Sequence, residues 1–209
     1  MSANDEFRQR FDECPLVAII RGVTPDEAEG IGQAIYDAGI RIIEVPLNSP
    51  KPLDSIGRLQ ARLGEGALVG AGTVLNTDQL QQVRDVGGRL IVSPNLNANV
   101  VRSAVEAGMV SMPGFFTPSE AFEGMDAGAH ALKLFPAEAA SPGVLKSMRA
   151  VIPRDVPILV VGGVTPESMA GWASAGADGF GLGGGLYTPG QSPQDTHDKA
   201  LAYVRAAKG

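Results

Sequence analysis

Cysteine is almost missing from these 209 residues: Cys14 stands alone, so no internal disulfide can form. That usage fits a reducing compartment, and a cytoplasmic location is expected. Only two histidines occur, His130 and His197, without the spacing that metal ligands need. No metal and no organic cofactor is expected. No apolar run approaches the ~18 residues of a membrane span, and residues 1–13 are too polar for a secretory signal. The formal charge of −6 argues against nucleic acid or an anionic membrane as partner. A small anionic substrate stays allowed, provided that the attraction is local.

What is there is a rhythm. Apolar runs recur at 16–20, 42–47, 68–73, 90–94, 110–114, 131–136, 158–163 and 179–184. Continuous apolarity over a strand's length is expected of parallel strands covered on both faces. Between the runs, Thr24-Pro25, Thr117-Pro118, Thr165-Pro166, Ser141-Pro142 and Ser192-Pro193 each set a hydroxyl cap before a proline at the first helical position. Ala-Gly pairs at 38–39, 107–108, 127–128 and 175–176 mark the far ends, where glycine suits the left-handed position after a helix. Ala28, Ile31, Ile35 and Ala38 share one face of the first such helix. Eight strand-helix units without a linker predict one α/β domain over residues 1–209, a (β/α)8 TIM barrel. An open doubly wound sheet is the alternative. Its glycine fingerprint belongs after the first strand, where Arg21-Gly22-Val23-Thr24 does not supply it. Residues 2–13 are expected to add a short helix across the barrel bottom.

In such barrels the site collects at the carboxyl ends of the strands. Those ends carry Arg21, Glu44 with Asn48, Thr73, Pro94 with Asn95, Lys133, Gly162-Gly163 and Gly183-Gly184. Lysine is scarce, with five copies, and only Lys133 sits inside an apolar strand. Alternation groups Lys133 with Ala131 and Phe135, opposite Leu132 and Leu134. The leucines need the surrounding helices, so Lys133 should face the barrel interior. Glu44 shares its face with Ile42 and should join it there, while Thr73 falls on the face of Ala71 and Arg21 on that of Ile19.

An unpaired buried ammonium is costly, so such a lysine is ion-paired, neutral or reactive. A neutral amine in a dry pocket is what Schiff-base chemistry with a ketone requires. Glu44 is either the structural ion-pair partner of that lysine or a base beside a nucleophile. The second reading is favoured, because a buried pair seldom stabilises more than apolar residues would. Arg21 is read as recognising a substrate carboxylate or other oxygen, and the two glycine pairs as bare backbone for a phosphate. Thr73 by itself reads as a packing residue. His130 is placed at a strand edge, His197 on a solvated helix face, and Met109 and Met112 in the core.

These residues carry a resemblance. Ile20-Arg21-Gly22-Val23-Thr24-Pro25, Glu44-Val45-Pro46-Leu47-Asn48-Ser49-Pro50, Gly70-Ala71-Gly72-Thr73, Ser93-Pro94-Asn95, Leu132-Lys133-Leu134-Phe135-Pro136 and Val161-Gly162-Gly163-Val164 resemble the 2-keto-3-deoxy-6-phosphogluconate and -galactonate aldolases. The resemblance spans essentially the whole chain. It implies a class I aldolase that yields pyruvate and D-glyceraldehyde 3-phosphate, with Lys133 as the Schiff-base lysine and Glu44 as general acid/base. It further implies carboxylate contacts from Thr73 and Arg21, Phe135 and Pro94 against the substrate, and phosphate held around Gly162, Gly163, Gly183 and Gly184. The partner is a phosphorylated sugar acid, and relatives of this kind are trimers. Asn48 stands where gluconate-type enzymes carry arginine, and Val161 where they carry threonine, which points to the galactonate epimer as substrate. The gluconate epimer, or both, is the alternative, followed by a non-catalytic phosphosugar-binding barrel. Gly184 replaces a serine, and Phe115-Phe116 is bulkier than the pattern after the fifth strand.

Overall fold

The computed structural model describes residues 2–208. Its strands are β1 (Leu16–Ile19), β2 (Ile42–Pro46), β3 (Leu68–Gly72), β4 (Leu90–Val92), β5 (Val110–Met112), β6 (Gly114–Phe115), β7 (Leu132–Leu134), β8 (Ile158–Val161) and β9 (Gly179–Leu182). They form one sheet, ordered β5-β4-β3-β2-β1-β9-β8-β7-β6, and every described pairing is parallel.

The expected fifth strand is split. Pro113 has no N–H to give a ladder, and it separates β5 from β6. The first half pairs with β4 and the second with β7. Two consecutive halves of one strand therefore carry the two ends of the sheet, and the sheet closes on itself as a (β/α)8 barrel. The Pro113 carbonyl takes part, accepting from the Lys133 N–H at 2.9 Å.

Around the barrel run α2 (Pro25–Asp37), α3 (Pro52–Leu63), α4 (Thr77–Asp85), α5 (Ala98–Glu106), α6 (Pro118–Asp126), α7 (Pro142–Arg149), α8 (Pro166–Ser174) and α9 (Pro193–Ala207). Thr24, Thr117, Ser141, Thr165 and Ser192 are the N-cap residues before the proline of the first turn, as expected. The glycines at 39, 108, 128 and 176 all adopt positive φ just past the helix ends. No described helix is long and apolar enough to cross a membrane.

Alternation along the strands sorts the apolar side chains into two cores. Ile43, Val45, Leu132, Leu134 and Val160 pack outward against the helices. Val17, Ile19, Ile42, Leu68, Leu90, Val92, Met112, Ala131, Leu159 and Val161 fill the interior. The short N-terminal helix α1 (Ala3–Glu13) is where it was expected. Phe7 and Phe11 lie 5.1 Å apart between ring centroids and plug the barrel bottom as part of the inner core. Gly179 lets them in: a Cβ there would come within 2.6 Å of the Phe11 ring.

Candidate active site

Lys133 lies at the middle of β7, on the face of Ala131 and Phe135, and is buried with 7% of its surface exposed. Glu44, in β2, is 1% exposed. Both belong to the interior, as alternation required. They line one narrow cavity with Val17, Ile19, Val92, Met112, Leu159, Val161 and Gly181. That cavity has room for about one water molecule.

Glycine makes the room. A Cβ on Gly72 would lie 2.0 Å from Glu44 Oε2, so the carboxylate rests on bare backbone of β3. A Cβ on Gly181 would meet Val161 at 2.7 Å and Ile19 at 3.3 Å. A larger residue would displace the carboxylate at the first position and crowd the cavity wall at the second.

The two groups do not touch. Glu44 Oε2 has no hydrogen-bond partner among the described residues, and Lys133 enters none of their ion pairs. Lys133 Nζ instead stands over the Phe135 ring, 4.9 Å from its centroid. A closed structural salt bridge is therefore not what this pair forms.

Electrostatics follow from the burial. Desolvation pushes the Glu44 carboxyl up to about 7, against the opposing pull of Lys133 and Arg21. Desolvation likewise pushes the Lys133 amine down, against the Glu44 charge and with help from Arg21. Burial thus favours the free base of the amine, beside a carboxyl that near neutrality can give or take a proton. That is the acid/base poise a nucleophilic amine needs.

The remaining expected residues ring the mouth. Arg21 is exposed in the loop after β1 and its guanidinium donates to Asn48 Oδ1 in the loop after β2. The same loops are tied by Gly22, whose N–H donates to Ser49 Oγ at 2.9 Å. Thr73 directly follows β3, half-buried with φ of +59°, so it leaves the strand's alternation and no longer shares the face of Ala71. Pro94, half-buried after β4, has its carbonyl against Gly114, where a Cβ would come within 2.3 Å. Phe135 packs at the edge of the inner core, and Val161 closes β8 at 6% exposure.

The two glycine pairs differ. Gly162 and Gly163 have φ of +120° and +62°, and a Cβ on either would strike the Glu138 side chain. Around Gly183 and Gly184 a Cβ would meet nothing within 4 Å. The first pair needs glycine for its backbone; the second does not.

Several expectations are refined. Phe115 is buried in the outer core, so it does not narrow the mouth, while Phe116 is 37% exposed. Met109 packs outside the barrel, whereas Met112 lines the cavity beside Lys133. His130 sits at the foot of β7, where its Nδ1 accepts from the Ser111 N–H at 3.1 Å, and His197 is half-buried on α9. Sequence reasoning did not single out Gly72, Ser93 or Glu138. The signal for Gly72 was a glycine where an inward side chain was due, one strand from an inward carboxylate. For Ser93 it was a hydroxyl closing an apolar strand. Glu138 follows the lysine strand within a short turn (Ala137–Ala139) and carries no strand-pattern signal.

The family model for KDPG and KHG aldolase matches residues 7–197. The chain belongs to that aldolase family. Among its relatives, the 2-dehydro-3-deoxy-6-phosphogalactonate aldolase of Escherichia coli (strain K12) is 47% identical over 192 residues, covering 92% of this chain and 94% of that one. The KHG/KDPG aldolase of the same organism is 34% identical over 156 residues, 74% of this chain and 72% of the relative. A solved structure described as native KDPGal superposes with a TM-score of 0.92 at 46% identity, covering 94% of this chain and 95% of that chain.

Proposed function

We propose that this aldolase cleaves 2-dehydro-3-deoxy-6-phosphogalactonate to pyruvate and D-glyceraldehyde 3-phosphate through a Schiff base on Lys133. The observation that carries the reading is the buried, unpaired Lys133 amine sharing a one-water cavity with Glu44. An amine with no ion-pair partner in a dry barrel is free to attack a C2 ketone.

The steps follow from proton bookkeeping. Uncharged Lys133 adds to C2, and Glu44 gives a proton as the carbinolamine loses water, leaving a protonated imine. Glu44, now a carboxylate, takes the C4 hydroxyl proton through the intervening water while the C3–C4 bond breaks. The imine accepts the electron pair, and D-glyceraldehyde 3-phosphate leaves. Glu44 returns the proton to C3 of the enamine, and hydrolysis frees pyruvate and the amine. No step requires a metal or organic cofactor.

Recognition is assigned to the mouth. Arg21 and Thr73 hold the carboxylate, Pro94 and Phe135 flank the pyruvyl part, and the left-handed Gly162-Gly163 backbone with Gly183-Gly184 holds the phosphate. Asn48, which accepts from Arg21, and the apolar Val161 support the galactonate epimer over the gluconate one. The higher identity to the galactonate-named relative points the same way. The gluconate epimer remains the second reading, because the site's carboxylate and phosphate ends would serve both. The assembly is read as a homotrimer. Val144 and Val151, exposed beside a groove lined by Pro118 and Met148, offer apolar surface for a second copy.

The test is a two-substrate assay with the purified protein. The galactonate epimer should give the higher kcat/KM, and borohydride with pyruvate should label Lys133 but not a Lys133→Ala protein. A higher kcat/KM on the gluconate epimer would reverse the substrate assignment. A pyruvate adduct on any other lysine would remove the mechanism.

A further inference from the structure

Thr73 is one of only two non-glycine residues with positive φ among those described, the other being Lys51. For a β-branched residue the left-handed region is a genuine outlier. Such backbone persists only where its surroundings over-determine it. Here the pins can be named. On one side, the Gly72 carbonyl accepts from the Leu47 N–H at 2.8 Å. On the other, the Val74 N–H donates to the Val92 carbonyl at 3.2 Å. The Val74 carbonyl is taken by a side chain: Ser93 Oγ donates to it at 2.7 Å.

Ser93 directly follows the apolar strand β4 and is 3% exposed. A buried hydroxyl in that position needs a partner, and the one it has is the carbonyl next to the strained residue. Without the left-handed turn Thr73 would continue the alternation of β3 and share the outward face of Ala71, which packs against the helices. The turn takes Thr73 out of that register at the barrel mouth.

We propose that Ser93 is a positioning residue: its bond to the Val74 carbonyl fixes the left-handed Thr73 and so sets the Thr73 hydroxyl at the carboxylate end of the substrate. The inference rests on the reading of Thr73 as a carboxylate contact. It assigns no contact between Ser93 and substrate.

The experiment is a double-mutant cycle on KM for the phosphorylated sugar acid, with thermal unfolding recorded in parallel. Loss of one hydrogen bond to a charged group is on the order of a tenfold effect on binding. Thr73→Ala should therefore raise KM by about tenfold. Ser93→Ala should raise it by a similar factor with kcat less affected, and the double variant should be no worse than Thr73→Ala. Ser93→Thr, which keeps the hydroxyl, should restore KM. Thr73→Gly suits the positive φ, so Ser93→Ala should lower the Tm less in that background. Multiplying effects in the double variant, or a Ser93→Ala protein of lowered Tm and unaltered KM, would overturn the proposal alone. An unaltered KM in Thr73→Ala would overturn the carboxylate reading and this proposal with it. Should Ser93→Ala fail to fold, Ser93→Cys enters the same cycle, and its KM decides.

Discussion

Two ends of one barrel treat buried charge in opposite ways. At the bottom, Arg149 is 5% exposed and fully engaged: it donates to Gly176 O at 2.8 Å, Pro153 O at 3.1 Å and Val156 O at 2.9 Å, and it pairs with Asp178. Half-buried Arg89 pairs with Glu6 at 2.6 Å and donates to Ala67 O at 2.9 Å, although its Nε has no partner. At the top, Lys133 and Glu44 are as deeply buried, yet Glu44 Oε2 has no partner and Lys133 forms no ion pair among the described residues. Charge buried with a full set of contacts is architecture. Charge buried without one is held in reserve for a ligand.

The contrast breaks most easily at its extremes. Lys133→Ala should abolish pyruvate trapping and cleavage, the largest effect expected, while lowering the Tm little, because removing a desolvated amine relieves a burial penalty. Arg149→Ala should do the reverse, costing on the order of 3 kcal/mol of stability by leaving three backbone carbonyls without their donor, with kcat of the folded protein retained. Denaturant titration and steady-state assays of both variants check the pair. Had the two variants the same stability loss, the distinction between the ends would fall. Glu44→Gln should lower kcat by roughly 10²–10⁴-fold while retaining some imine formation. Undiminished cleavage would defeat the proton role.

A smaller effect concerns pH. The Glu44 carboxyl is raised from 4.5 to about 7 by burial, so in that window the folded protein binds a proton that the unfolded chain releases. The stability this contributes is complete below pH 4.5 and is lost as pH rises through about 7. The wild-type Tm should therefore carry a downward component across that window that Glu44→Gln lacks. Differential scanning calorimetry of both proteins from pH 5 to 8 would sharpen the comparison, with equal slopes counting against it. The smallest effect is expected at Gly184→Ser, within roughly 0.5 kcal/mol of wild type, because nothing crowds that position. Gly162→Ala, by contrast, must meet the Glu138 carboxylate and a positive φ, and should lose both stability and substrate affinity.

Much of this was legible in the residues. Short apolar runs and Thr-Pro or Ser-Pro starts sufficed for the barrel, because parallel strands and helix caps leave local chemical marks. Alternation sufficed to turn Lys133 and Glu44 inward. The break in the fifth strand was written as Pro113 but was masked by the apolar run around it. Thr73 misled because alternation presumes extended backbone, and the left-handed turn is imposed by contacts from Leu47, Val92 and Ser93 that are distant in sequence. The glycine pairs looked alike as letters. Their difference lies in what surrounds the missing Cβ, which is tertiary information. That base and amine are near without touching was also out of reach, since strand pattern fixes a face and not a distance.

The central claim is that the Lys133 amine gives up its proton more readily than an ordinary lysine because it is buried and unpaired. It is tested by the pH dependence of reductive trapping of pyruvate, followed by mass spectrometry of the labelled peptide. The account predicts a label on Lys133 whose formation is half-maximal well below the ~10.4 of an ordinary lysine. A rate that tracks an ordinary lysine, rising only as exposed amines deprotonate, would contradict it.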